Sequence, residues 1–143
     1  MGVRLSAKTV YAARALLQLA LAPADGEPMR IEDIARAQDI PERFLPQILL
    51  ALKAAGLVAS RRGSQGGYLL ARSPSAITLA DVVRRFDREL LEGPASESAR
   101  ALDVVEEALS RAGGALEAAL EETTVADLAE RTRAAQSVLH YVI

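Results

Sequence analysis

The sequence predicts a mainly α-helical fold carrying one small β-hairpin, and three observations carry that prediction. Apolar residues recur at helical spacing along most of the chain, two short helical stretches flank a tight turn, and a glycine-rich reversal joins two short apolar runs. With 143 residues, half of them apolar and a quarter charged, the chain is long enough to bury a core without staples. Ser6 opens the first helix, in which Ala12, Ala15, Leu16, Leu19 and Ala20 share a face, and Pro23-Ala24-Asp25-Gly26 ends it.

A second helix is expected over residues 31–38 and a third over 42–55, with Asp39-Ile40-Pro41 as the turn between them. In the third, Leu45, Ile48, Leu49 and Leu52 stand at i, i+3, i+4 and i+7 and face inward, leaving Arg43, Gln47 and Leu50 outward. Asp39 is expected in left-handed backbone, which Asp visits more readily than most residues. Pro46 is expected inside the third helix, where it deletes a backbone donor and bends the helix near its start. Gly56 suits the helix C-terminus. Residues 57–61 and 68–71 then read as strands joined by Gly63-Ser64-Gln65-Gly66-Gly67, a pair of glycines explained by the turn and not by phosphate binding.

Thr78 and Asp81 make a capping-box start for a fourth helix through Val82, Val83 and Phe86, and Thr124 with Asp127 repeats the pattern before Val125, Leu128 and Ala129. Between them Leu102, Val105, Leu109, Ala112, Leu116 and Ala119 recur at spacings of three and four. This heptad seam is too short for a lone coiled coil, suits a packed helix pair and reads as a dimerisation stripe. Gly113-Gly114 interrupts it at a propensity cost of about 2 kcal/mol relative to alanine, which points to a bend or a close backbone approach. The expected organisation is a first domain over 1–90, a linker loop over 91–98, and a dimerisation helix followed by a C-terminal helix over 99–143.

Composition removes whole classes of chemistry. The chain has no cysteine and a single histidine, His140, so disulfides, thiolate metal sites, cysteine nucleophiles and histidine triads are out of reach of one chain. No nucleophile–base pair or metal-ligand cluster can be assembled by spacing, so neither an enzyme nor a cofactor is expected. No apolar run is long enough to span a membrane, and the expected location is cytoplasmic. The opening Met1-Gly2-Val3-Arg4-Leu5-Ser6 fits a loose myristoylation pattern, but Ser6 is read as the helix cap. Charge is uneven: residues 1–90 carry 13 Lys/Arg against 9 Asp/Glu, while 91–143 carry 4 against 10. A polyanion would therefore meet the first part.

Two short helices, a tight turn and a basic glycine-rich hairpin describe a winged helix-turn-helix, with Ala35, Asp39, Ile40, Leu45 and Ile48 in the locking positions. On the outward face of the third helix, Arg43 suits guanine and Gln47 suits adenine in the major groove of double-stranded DNA. The plainer reading, two polar residues solvating a helix, is weaker because the neighbouring hairpin shows the same polarity. There, Arg62 at the tip suits a narrow minor groove and Arg61 a phosphate. Arg4 and Lys8 read as phosphate positioners at the start of the first helix.

Val3-Arg4-Leu5-Ser6-Ala7-Lys8 with Tyr11-Ala12, Ile40-Pro41 with Phe44-Leu45, Ala55-Gly56-Leu57-Val58, Arg62-Gly63 with Gly66-Gly67-Tyr68, and Ile77-Thr78 with Asp81-Val82 carry a resemblance. Together they resemble the Rrf-type (IscR-, NsrR- and CymR-like) winged-helix regulators of bacteria. The resemblance implies a homodimer built on the long C-terminal helix, each DNA-binding domain reading half of a palindrome. By position it implies phosphate contacts for Arg4 and Lys8, base readers in Arg43, Phe44 and Gln47, and a minor-groove arginine in Arg62. Family members that sense redox state, nitric oxide or cluster supply hold an iron–sulfur cluster on three cysteines in the loop matching residues 91–98. That loop has no thiol here, and Glu92 and Glu97 read as solvated carboxylates and not as cation ligands. The expected function is a dimeric DNA-binding regulator, a repressor, whose input is a small-molecule ligand between the DNA-binding domain and the dimer helix, a protein effector, or neither. The competing reading is a winged-helix protein-interaction adaptor that does not read DNA, which the outward Leu50 and a pI of about 5.5 favour.

Overall fold

The computed structural model describes residues 4–23, 26–93 and 103–142. Among them run six α-helices: α1 (Ala7–Leu21), α2 (Ile31–Gln38), α3 (Leu45–Ala54), α4 (Leu79–Phe86), α5 (Val104–Glu121) and α6 (Val125–Val142). Strands β1 (Val58–Arg61) and β2 (Gly67–Leu70) form one antiparallel hairpin in the register Val58↔Leu70 to Arg61↔Gly67. Mainly helical with a two-stranded wing, this is the expected fold class.

The Ser6 hydroxyl accepts from the Thr9 amide at 3.3 Å and caps α1 as expected. The inner face of α1, from Ala12 to Leu19, meets Ile34 and Ala35 of α2 and the whole stripe Leu45, Ile48, Leu49 and Leu52 of α3. Each fully buried Leu or Ile contributes about 1.5–3 kcal/mol, so this three-helix contact is the main stabilising element of the first half. Asp39, between α2 and α3, sits at φ 52°, ψ 48°, the left-handed geometry expected of it. The Ile40 amide closes the turn on the Ala35 carbonyl at 3.0 Å, and the Ile40 side chain joins the core.

The third helix differs from expectation at its start. Glu42–Phe44 form a 3-10 turn and α3 begins only at Leu45, which puts Pro46 in the first α-helical turn. Amides there have no intrahelical acceptor, so the proline deletes nothing and its fixed φ favours helix initiation. Strand β1 starts one residue later than expected and ends where expected, and β2 lies one position earlier in the chain. Met29 pairs with Tyr68 through two backbone bonds of 2.8 and 2.7 Å, giving β2 a neighbour on its second edge. Gly67 is required at that junction, because a Cβ there would collide with the Met29 carbonyl.

Helices α4 and α6 start side by side. In each, a threonine hydroxyl accepts from an aspartate amide while the aspartate carboxylate accepts from the threonine amide, through Thr78 with Asp81 and Thr124 with Asp127. The two caps are joined by Leu79 N–H to the Thr123 carbonyl at 3.0 Å and Val125 N–H to the Ile77 carbonyl at 2.8 Å. Val125 thereby enters the core that α1, α2 and α3 build.

Helix α5 is held to α4 by Arg84, whose guanidinium pairs with Glu117 at 2.8 Å and with Glu121. The helix runs unbroken through the glycine pair. Gly113 is buried where a Cβ would strike the Leu91 carbonyl, whereas Gly114 faces open space. Of the two sequence expectations for this pair, close backbone approach is the one that holds, and it concerns only Gly113.

Asp87 was not singled out by sequence. Its carboxylate is buried and accepts from the Ser6 amide at 2.9 Å, the Ser6 hydroxyl at 3.0 Å and the Thr9 hydroxyl at 2.5 Å. It clamps the end of α4 to the start of α1. Burial by itself pushes this carboxyl up; the Thr9 hydroxyl and the two Ser6 donors outweigh that and hold it below its ordinary value.

Candidate nucleic-acid interface

The outward side chains named from sequence gather on two neighbouring surfaces, the start of α3 and the wing. Arg43 and Phe44 lie in the 3-10 turn that leads into α3, and Gln47 and Leu50 are exposed on α3 itself. The Phe44 ring stacks on Tyr11 of α1 with centroids 5.8 Å apart and planes at 21°. The Arg43 guanidinium lies 4.8 Å from the Phe44 ring centre, a cation–π contact worth about 0.5–1 kcal/mol at an exposed site. Tyr11, Phe44 and Arg43 therefore form one stack that positions the guanidinium before the helix. Sequence reasoning missed the part of Tyr11 here because its partner is 33 residues away in the chain. Gln47 makes no hydrogen bond among the described residues, so its amide keeps both a donor and an acceptor for a base edge.

The wing is braced against the helices. Lys53 of α3 donates to the Ser60 hydroxyl of β1 at 2.7 Å, and Arg30, just before α2, donates to the Ser64 carbonyl in the reversal. Arg62 is exposed with no hydrogen bond or ion pair among the described residues. Arg61 differs: its guanidinium donates to the Gly26 carbonyl at 3.2 Å, which directs it toward the loop after α1. Arg62 is thus the freer of the two arginines.

Arg4 and Lys8 are exposed at the head of α1 and unpaired among the described residues. Lys8 lies one turn before Tyr11 on the same helical face, which puts this cation on the side of α1 that carries the stack. Four free polar side chains, Arg4, Lys8, Gln47 and Arg62, and the stacked Arg43 can together take up phosphates and base edges without first breaking an internal contact.

The seam residues stand apart from this surface. Val105 and Leu109 are exposed, Ala112 is exposed and Leu116 is half-buried; Leu102 and linker positions 94–98 lie outside the described residues. Val104 on α5 and Val138, Leu139, Tyr141 and Val142 on α6 are also large, apolar and exposed.

Comparison with known proteins places this geometry. A family model for Rrf2, described as an iron-dependent transcriptional regulator, matches residues 5–131. The HTH-type transcriptional regulator CymR of Bacillus subtilis is 33 % identical over 148 aligned positions, covering 99 % of this chain and 100 % of CymR. The solved structure of that protein, described as the global cysteine regulator of B. subtilis, superposes with a TM-score of 0.74 at 31 % identity, covering 91 % of this chain and 98 % of that one. The structure of IscR from T. potens gives a TM-score of 0.77 at 32 % identity, covering 95 % of this chain and 93 % of that one. The iron in the family description finds no thiolate here, since the sequence has no cysteine, and no group of three His, Cys, Asp or Glu fit to hold a metal occurs among the described residues. A cysteine-ligated cluster does not fit this donor set.

Proposed function

The chain belongs to the Rrf2 family of winged-helix, DNA-binding transcriptional regulators, and from that premise we propose that it acts as a homodimeric repressor on a palindromic operator. The observation that carries this reading is the braced unit of α3 and wing, which presents Arg43, Gln47 and Arg62 outward. Gln47 and Arg43 read base edges in the major groove, Arg62 enters the adjacent minor groove, and Arg4 and Lys8 fix the register on phosphates. Phe44 serves as the platform for Arg43. Arg61, with one of its five donors on the Gly26 carbonyl, contributes a phosphate contact through the others.

Dimerisation is supported by the apolar stripe that α5 leaves uncovered, since soluble monomers rarely expose large contiguous apolar patches. The two-fold axis of such a dimer matches a palindrome. Regulation enters through a ligand held between the DNA-binding half and the last two helices.

The test begins with recovery of the operator by genome-wide capture of bound DNA, followed by affinity measured across a salt series. A phosphate-neutralising dimer loses affinity log-linearly and steeply with salt. Arg62→Ala is expected to weaken operator binding about tenfold and to relax preference at the minor-groove positions, with the dimer intact. Absence of any salt-sensitive, sequence-selective binding would instead identify an adaptor.

A further inference from the structure

A cavity of about 200 Å³ lies between the two halves of the molecule, walled by Leu5, Val10, Ala13 and Leu17 from the α1 segment and by residues of α4, α5 and α6. Leu79, Val82 and Val83 of α4, Leu120 of α5 and Leu128 of α6 complete the apolar wall. Its polar lining is confined to Thr9, whose hydroxyl is already given to Asp87, and Arg14. The wall thus offers almost nothing to hold a water in place, and a concave apolar surface of this kind favours apolar guests. Arg14 is exposed at the rim and makes no hydrogen bond or ion pair among the described residues.

Size and charge together define the guest. Sites for drug-sized molecules run roughly 300–1,000 Å³, and a cavity of about 150 Å³ already accepts benzene. A space of about 200 Å³ therefore suits a single ring or a short alkyl chain. One unpaired guanidinium at the mouth matches one carboxylate, which it can meet with two parallel N–H bonds.

We propose that this cavity binds a small amphipathic monocarboxylate, with the tail between α1 and α4, α5 and α6 and the carboxylate on Arg14. The inference deepens the regulatory reading given above and rests on it for its consequence: a guest that touches four helices favours one setting of α5 and α6 relative to α1, and so alters operator affinity.

The experiment titrates the full-length chain with butanoate, hexanoate, octanoate and phenylacetate, and with hexanol and hexylamine as uncharged and cationic controls, by calorimetry and ligand-observed NMR. Saturable binding that strengthens with tail length until the cavity is full, and that prefers hexanoate over hexanol and hexylamine, is expected. Arg14→Gln should weaken hexanoate several-fold to the level of hexanol while leaving hexanol unchanged. Ala13→Leu should abolish both by filling the space; if it fails to fold, Val10→Phe at the half-open mouth does the same. Absence of saturable binding, or binding untouched by the filling variants, overturns the proposal. So does a change of oligomeric state in those variants without probe binding, which would give the cavity to a second copy of the chain. Operator binding is measured on the same preparations. Carboxylate binding without DNA binding removes the repressor reading alone, and DNA binding without carboxylate binding removes this inference alone.

Discussion

Helices α3 and α5 both carry apolar residues at helical spacing, yet Leu45, Ile48, Leu49 and Leu52 are at most 1 % exposed whereas Val105 and Leu109 are 62 % and 51 % exposed. The first stripe is covered by α1 and α2 of the same chain; the second is left open at Val105 and Leu109 among the described residues. Periodicity names the face a helix wants to hide, and it is silent on whose surface will hide it. That distinction separates a stripe the chain covers itself from one that, on the proposed reading, a second copy covers.

The sharpest way to break the comparison is Leu109→Glu. Unpaired carboxylates in a buried seam cost of order 3–5 kcal/mol each, so the dimer should dissociate in sedimentation while helicity by circular dichroism persists. A surviving dimer would move the interface off α5. Leu52→Ala tests the opposite pole: it should lower the unfolding free energy in urea by about 2–5 kcal/mol, an effect intrinsic to the single chain. The adjacent glycines then resolve α5 itself. Gly113→Ala should cost about 1–3 kcal/mol because its Cβ meets the Leu91 carbonyl, whereas Gly114→Ala should gain up to about 1 kcal/mol of helix propensity. If Gly114→Ala instead weakens self-association, the seam passes over that residue.

The smallest effect is a pH dependence. The Asp87 carboxyl is held below its ordinary value in the folded chain, so its contribution is present above the usual carboxylate range and is lost as pH falls through the lowered value. Urea midpoints measured downward from about pH 5 should fall for the wild type, and Asp87→Asn should remove that part of the slope.

What the sequence made legible was local. The Ser6 cap, the left-handed Asp39, the inward stripe of α3 and the paired capping boxes each depend on residues within a few positions of one another, and each was read correctly. What escaped was long-range: Asp87 reaching back to Ser6 and Thr9, Tyr11 stacking on Phe44, Met29 pairing with Tyr68, Arg61 turned to Gly26. No pattern along the chain encodes those meetings, because tertiary packing creates them. Pro46 is the instructive exception, a local residue misread because the helix start was placed three positions too early. At the candidate interface the outward direction of Arg43, Gln47 and Arg62 was legible, and the stack that steadies Arg43 was not.

Helix α6 is pinned at its root by the backbone bridge to α4 and steadied midway by Arg133 on the Ala20 carbonyl, beyond which residues 134–142 overhang in solvent. Its 18 residues make a lever about 27 Å long. A tilt of about 10° at the pivot would swing the far tip by about 5 Å. Small repacking near the fulcrum is thereby amplified at the outer end of the helix, where Val138, Leu139, Tyr141 and Val142 stand exposed.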